Sequence, residues 1–208
     1  MLTDISQWLS FSASSTTVAQ FYNVSESDIN WLSTGFLFAF VVVSPVTLHV
    51  LHHAGPKRAV VIASVLLLVG NWVRYGATKV GSNGNFAGVM VGQILTGMAQ
   101  PFVLAAPTRY SDLWFTNTGR ITATAVMTLA NPFGGALGQL IDPFWAGSAS
   151  DIPSMVLYIS IIVSMLHFSV LVRYSNKVSH PLPQSRHFSS PLNRQLHVRR
   201  QRRSPNNR

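Results

Sequence analysis

Gln93, Gln100 and Asn131 are amide side chains set inside long stretches that contain no Lys, Arg, Asp or Glu. An amide offers two donors and a two-lone-pair acceptor. In hydrocarbon it needs a partner, so each should face either a neighbouring helix or a water-filled cavity that admits a polar solute. Gln93 and Gln100 are seven residues apart and therefore share one face of a helix. Asn131 precedes Pro132, which removes a backbone donor and bends a helix. The chemistry on offer is hydrogen bonding to a solute rather than bond making. The chain has no Cys, and its apolar stretches hold no paired acids, His–Glu metal motif or Ser–His pairing. No enzyme activity, metal site or cofactor is expected. His49, His52 and His53 cluster without a carboxylate or Cys beside them, and His167 is isolated, so ligand type alone does not make a metal shell.

The elements that hold these amides are five: residues 29–51, 59–78, 86–108, 121–141 and 152–172. Arg74 is the one charge among them. A helix rises about 1.5 Å per residue and a bilayer core is about 30 Å thick, so roughly 20 apolar residues span it. The reading is an all-α, polytopic membrane helix bundle with the lipid bilayer as its first partner. Composition agrees, at 48% hydrophobic and 10% charged, where soluble domains carry about 25% charge. The net charge of +9 does not indicate nucleic acid, because the cations sit in the breaks and at the C-terminal end.

Every Lys and Arg except Arg74 and Lys79 lies in alternate breaks or after residue 172. Cytoplasmic loops are rich in Lys and Arg, so that side is the cytoplasm. The spans are numbered TM2 to TM6, because Trp8, Leu9 and Phe11 resemble the last turns of a first span whose start is missing. Residues 1–22 form that remnant and an outer loop, 23–172 the bundle, and 173–208 a basic cytoplasmic tail. The tail has four prolines, no acids and an RRQRR run at 199–203, a composition that predicts disorder.

Small residues mark where helices should touch. Gly88 with Gly92, and Gly134 with Gly138, are small-xxx-small pairs that let backbones approach. Pro45 should bend TM2. Arg74, near the end of TM3 among Trp72 and Tyr75, is expected to snorkel outward or pair with a partner. Leu51-His52-His53-Ala54-Gly55-Pro56-Lys57-Arg58 forms a tight Gly turn followed by two cations.

That turn resembles the Asp-x-x-Gly-x-Arg-Arg loop of major facilitator transporters, with His52 where the family usually has Asp. Further motifs follow in order: Gln7-Trp8-Leu9-Ser10-Phe11, Asp28-Ile29-Asn30-Trp31-Leu32-Ser33, Gly70-Asn71-Trp72-Val73-Arg74-Tyr75, Val91-Gly92-Gln93, Ala99-Gln100-Pro101-Phe102, Leu113-Trp114-Phe115 and Ala130-Asn131-Pro132. Over about residues 5–145 the chain resembles the feline leukaemia virus subgroup C receptor-related transporters, including the disrupted-in-renal-carcinoma branch. The resemblance implies the N-terminal six-helix half of a twelve-span fold, with TM1 truncated. It implies a solute held between two halves and moved by alternating access. Family members are associated with choline or ethanolamine, haem, and pyridoxine. Trp8 matches a Trp of an aromatic cage, and an aromatic face attracts a quaternary ammonium. Pro132 stands where choline-binding relatives have Gln.

The expected function is transmembrane solute transport. Trp8, Gln93, Gln100 and Asn131 would contact substrate, and Gly55, Lys57 and Arg58 would shape a cytoplasmic gate. A second six-helix half or a dimer partner would complete the path. The membrane would be the plasma membrane or a vacuolar or lysosomal one. The competing expectation is a non-transporting membrane fragment that binds lipid or pairs with another chain.

Overall fold

A computed structural model describes residues 11–115 and 117–178, with side chains except at 112–114, 117, 118 and 174–178. Trp8 and the tail from residue 179 lie outside the described residues. Residues 11–13 are helical. They are followed by α1 (Ser15–Tyr22), α2 (Glu26–His53), α3 (Gly55–Thr78), α4 (Phe86–Trp114), α5 (Asn117–Trp145), a 3₁₀ turn (Ala149–Asp151) and α6 (Ile152–Val178). The five expected spans TM2 to TM6 correspond to α2 to α6.

Local signals set the boundaries. Ser25 caps α2 by accepting from the Asp28 amide, while the Asp28 carboxylate accepts from the Ser25 amide. This reciprocal pair satisfies two of the helix's orphan donors. Ser148 and Asp151 repeat the device before α6. Asn85 caps α4 by accepting from the Gly88 amide. Between α2 and α3 only Ala54 breaks the helices, and Gly55 (φ +80°) makes the turn possible. Pro56 follows at the start of α3, where its missing N–H has no intrahelical partner to lose. The breaks are shorter than the charge pattern suggests. Arg109 lies inside α4, and Asp142 lies inside α5.

Among the described residues, four helices are long and apolar enough to cross a membrane: α2, α3, α4 through Ser111, and α6 with the turn before it. α5 has the length, at 29 residues, but is not among the four. Its average apolarity conceals two faces. Ile121, Val126, Leu129, Phe133, Leu140 and Phe144 are exposed. Asn131, Gly134, Gly138 and Asp142 are buried, at the spacing of one helix face. α5 therefore turns apolar side chains outward and polar groups inward, which suits a helix lining a bundle interior.

The core is centred on α4, which packs along α3 and α2. Glycine makes both contacts close. A Cβ on Gly92 would lie 2.7 Å from the Gly70 carbonyl oxygen, and one on Gly97 would lie 2.7 Å from the Phe36 carbonyl oxygen. The expected Gly88–Gly92 pair is a real close approach: Gly88 meets Ala77, and Gly92 meets Arg74 and Gly70. α6 joins through Trp72 Nε1, which donates to Ser164 Oγ at 3.0 Å. Prolines 45, 101, 107, 132 and 143 all lie inside continuous helices. They shape helices without ending them.

Candidate functional site

The three predicted amides all turn inward. Gln93 is 0% exposed, and neither its Oε1 nor its Nε2 has a hydrogen-bond partner. Gln100 Oε1 and Asn131 Oδ1 are also buried without partners. Burying such a group unsatisfied costs about 1–3 kcal/mol, so these atoms are spared for something other than helix-to-helix bonding in this arrangement. Gln93 and Gln100 share a face of α4, about 10 Å apart at 1.5 Å per residue. The residues expected to shape a gate are elsewhere. Gly55 forms the α2–α3 turn, and Lys57 and Arg58 are exposed beside it. His49 and His53 stack with ring centroids 4.2 Å apart, and His53 Nδ1 meets the His49 carbonyl at 3.0 Å.

Arg74 does not reach outward. It is 1% exposed, and its stem lies across Gly92, the residue before Gln93. Its guanidinium carbon sits 4.5 Å from the centroid of the Phe11 ring, a cation–π distance. Of the two expectations for Arg74, snorkelling fails and pairing holds. The missing Cβ of Gly92 leaves the slot that an outward-pointing side chain would not need. Asp142 on α5 is within electrostatic reach of Arg74. It is 3% exposed, and its Oδ2 accepts no hydrogen bond.

A cap closes over this charge at the C-terminal end of α3. Thr78 Oγ1 donates to the Arg74 carbonyl at 2.8 Å, so its single proton is used. Tyr22, 2.7 Å from Thr78 Oγ1, must then be the donor between them. The Tyr22 phenol lies outside the spans. Burial raises its pKa above the usual value, against the opposing effects of Thr78 and Arg74. Phe21 and Phe86 meet the Tyr22 ring edge-on.

The polar interior therefore has two levels. Arg74, Gln93 and Asp142 lie toward the end of the bundle that holds the α3–α4 turn. Gln100 and Asn131 lie deeper, since Asn131 is eleven residues, or about 16 Å, below Asp142. Sequence reading found the amides, left Arg74 between two readings, and ended the span before Asp142. The signal was available: Asn131, Gly134, Gly138 and Asp142 repeat at intervals of three to four residues.

Comparison with known proteins fits this architecture. A family model for the Major Facilitator Superfamily matches residues 1–205. The match runs past residue 145, where the motif resemblance stopped. The choline/ethanolamine transporter FLVCR2 of Rattus norvegicus is 25% identical over 193 residues, covering 89% of this chain and 35% of the relative. The choline/ethanolamine transporter FLVCR1 of Felis catus is 29% identical over 188 residues, covering 86% and 33%. Solute carrier family 49 member A3 of Danio rerio is 35% identical over 156 residues, covering 74% and 33%. The chain thus spans about a third of the length of the curated relatives it matches. Its helices, its glycine contacts and the match over nearly every residue lead to one assignment: this multi-pass membrane protein belongs to the major facilitator superfamily.

Proposed function

We propose that the chain forms one wall of an alternating-access solute transporter, and that Gln93, Gln100 and Asn131 provide hydrogen bonds to the solute. The observation that carries this reading is Gln93, wholly buried with both polar atoms unbonded. An interior amide with no partner in the protein is suited to a partner that comes and goes. Trp8 is proposed to stack on the solute, and Gly55, Lys57 and Arg58 to shape the cytoplasmic gate. The opposite wall is proposed to be a second six-helix unit or a dimer partner, because a path sealed alternately on two sides needs two walls that rock. The membrane is proposed to be the plasma membrane or a vacuolar or lysosomal one.

The first solutes to test are choline and ethanolamine, which the names of the FLVCR1 and FLVCR2 relatives carry. Haem and pyridoxine follow from the motif resemblance. The experiment is uptake of each labelled compound by membranes containing the chain, alone or with a second six-helix unit of a relative. Expected is saturable uptake of one compound that falls at least tenfold in Gln93→Leu while the amount of protein in the membrane is unchanged. Uptake unaffected by Gln93→Leu would reject the site, and uptake of none of the four would reject the substrate class.

A further inference from the structure

A cavity lies apart from the amides. It has a volume of about 260 Å³ and opens between α3, α4, α5 and α6. Val60, Ala63, Val103, Ala106, Met127 and Val170 make most of its wall, and none of Gln93, Gln100 or Asn131 reaches it. Its polar lining group His167 already has a bond, with Nδ1 2.9 Å from the Val163 carbonyl. An apolar cavity stays dry and accepts apolar guests. Val126 and Leu166, next in sequence to lining residues of α5 and α6, are exposed. The mouth therefore meets acyl chains rather than water.

Each of the four helices that line the cavity carries a cation on its cytoplasmic side. Arg58 precedes Val60 by two residues, Arg109 adjoins Tyr110, Arg120 precedes Met127 by seven, and Arg173 follows Val170 by three. At 1.5 Å per residue these offsets are about 2–10 Å, the interval between an upper acyl chain and its phosphate. Lys57 adds a fifth cation, and Asp112 is the acid among them. Basic pockets between spans on the cytoplasmic side recognise anionic head groups.

From this alignment we infer that the cavity holds one acyl chain of an anionic phospholipid of the cytoplasmic leaflet, whose phosphate rests among Lys57, Arg58, Arg109, Arg120 and Arg173. The guest is a phospholipid rather than a soluble anion because the chain and the charge are recognised together. It differs from attraction of lipid to the basic tail, since the recognising atoms belong to four helices.

The test is native mass spectrometry of the full chain after mild delipidation, supplied with equal palmitoyl-oleoyl phosphatidylglycerol and phosphatidylcholine. One phosphatidylglycerol should be retained in preference to phosphatidylcholine. Lys57→Gln/Arg58→Gln should lower that preference about twenty-five-fold, since each cation near the surface is worth roughly fivefold. Filling the cavity with Ala106→Phe, or separately with Met127→Trp, should abolish retention. Thermal unfolding in detergent of both cavity variants identifies one that has failed to fold, and the other then decides. Retention by a folded cavity variant would overturn the inference. So would loss of retention only when the 199–203 run is neutralised, or equal retention of the two lipids.

Discussion

Arg74 and Asp142 illustrate how a residue type acquires meaning from depth. Arg cannot shed its proton in a protein, so burying it requires compensation nearby. Phe11 supplies a ring face, and Asp142 supplies an opposite charge from another helix. Removing one member of a buried pair leaves the other charge uncompensated, at a cost of about 3–5 kcal/mol. Asp142→Asn should therefore lower unfolding stability in detergent strongly, and the double replacement Arg74→Met/Asp142→Leu should recover most of the loss. A double variant that loses as much as the two single replacements together would show that the two groups do not interact. Gln93 is expected to behave in the opposite way. Because its amide is buried without partners, Gln93→Leu should leave stability unchanged or raise it by about 1 kcal/mol, measured in the same unfolding assay. A large loss would identify it as structural. Tyr22→Phe, which deletes the donor to Thr78, should cost about 1 kcal/mol.

At the scale of elements, the contact that matters is α3 against α4. Gly92 and Gly70 present backbone to backbone, and the Arg74 stem fills the remaining space. A methyl group at Gly92 would lie 2.5 Å from Arg74 Cγ and 2.9 Å from the Arg74 amide, so the helices must part. Gly92→Ala should destabilise by about 1–3 kcal/mol, the usual cost of overpacking. Gly76→Ala is its control on α3. No atom lies within 4 Å of a Cβ there, and alanine is the better helix former by roughly 0.5–1 kcal/mol. Paired melting curves should move in opposite directions. α5 lacks this grip: its outer face is apolar and its polar groups point inward. It is the helix whose identity as a span depends on two faces rather than on an average.

For the whole molecule, inside and outside follow from where Lys and Arg fall. The chain has no Cys, so single cysteines report sidedness without background. Lys57→Cys should react with an impermeant maleimide only from the cytoplasmic face, and Ser82→Cys only from the opposite one; the reverse result would invert the bundle. Much of this plan was legible in the sequence. Long apolar stretches announced all five helices from α2 to α6, and Gly88 with Gly92 announced a close helix contact. Arg74 was harder to read, because its place near a helix end among aromatic residues fits an interface as well as an interior. What decides is Gly92 on another helix, a tertiary partner that no local pattern reveals. Asp142 was assigned to a break for a similar reason: charge usually ends a span, and only the glycine face leading to it says that α5 continues.

The distance along the chain between Arg74 and Asp142 has a consequence for biosynthesis. Asp142 is made 68 residues after Arg74, which at about 5–20 residues per second is roughly 3–14 s of translation. Throughout that interval α3 carries a charge whose counter-ion does not yet exist. The position of Arg74, four residues before the end of α3, lets the nascent guanidinium wait at the headgroups. We expect nascent chains arrested before residue 142 leaves the ribosome to hold α3 shifted toward the outer leaflet. Cysteine labelling at position 78 should then be fast before α5 arrives and slow afterwards; equal rates would show that α3 settles without its counter-charge.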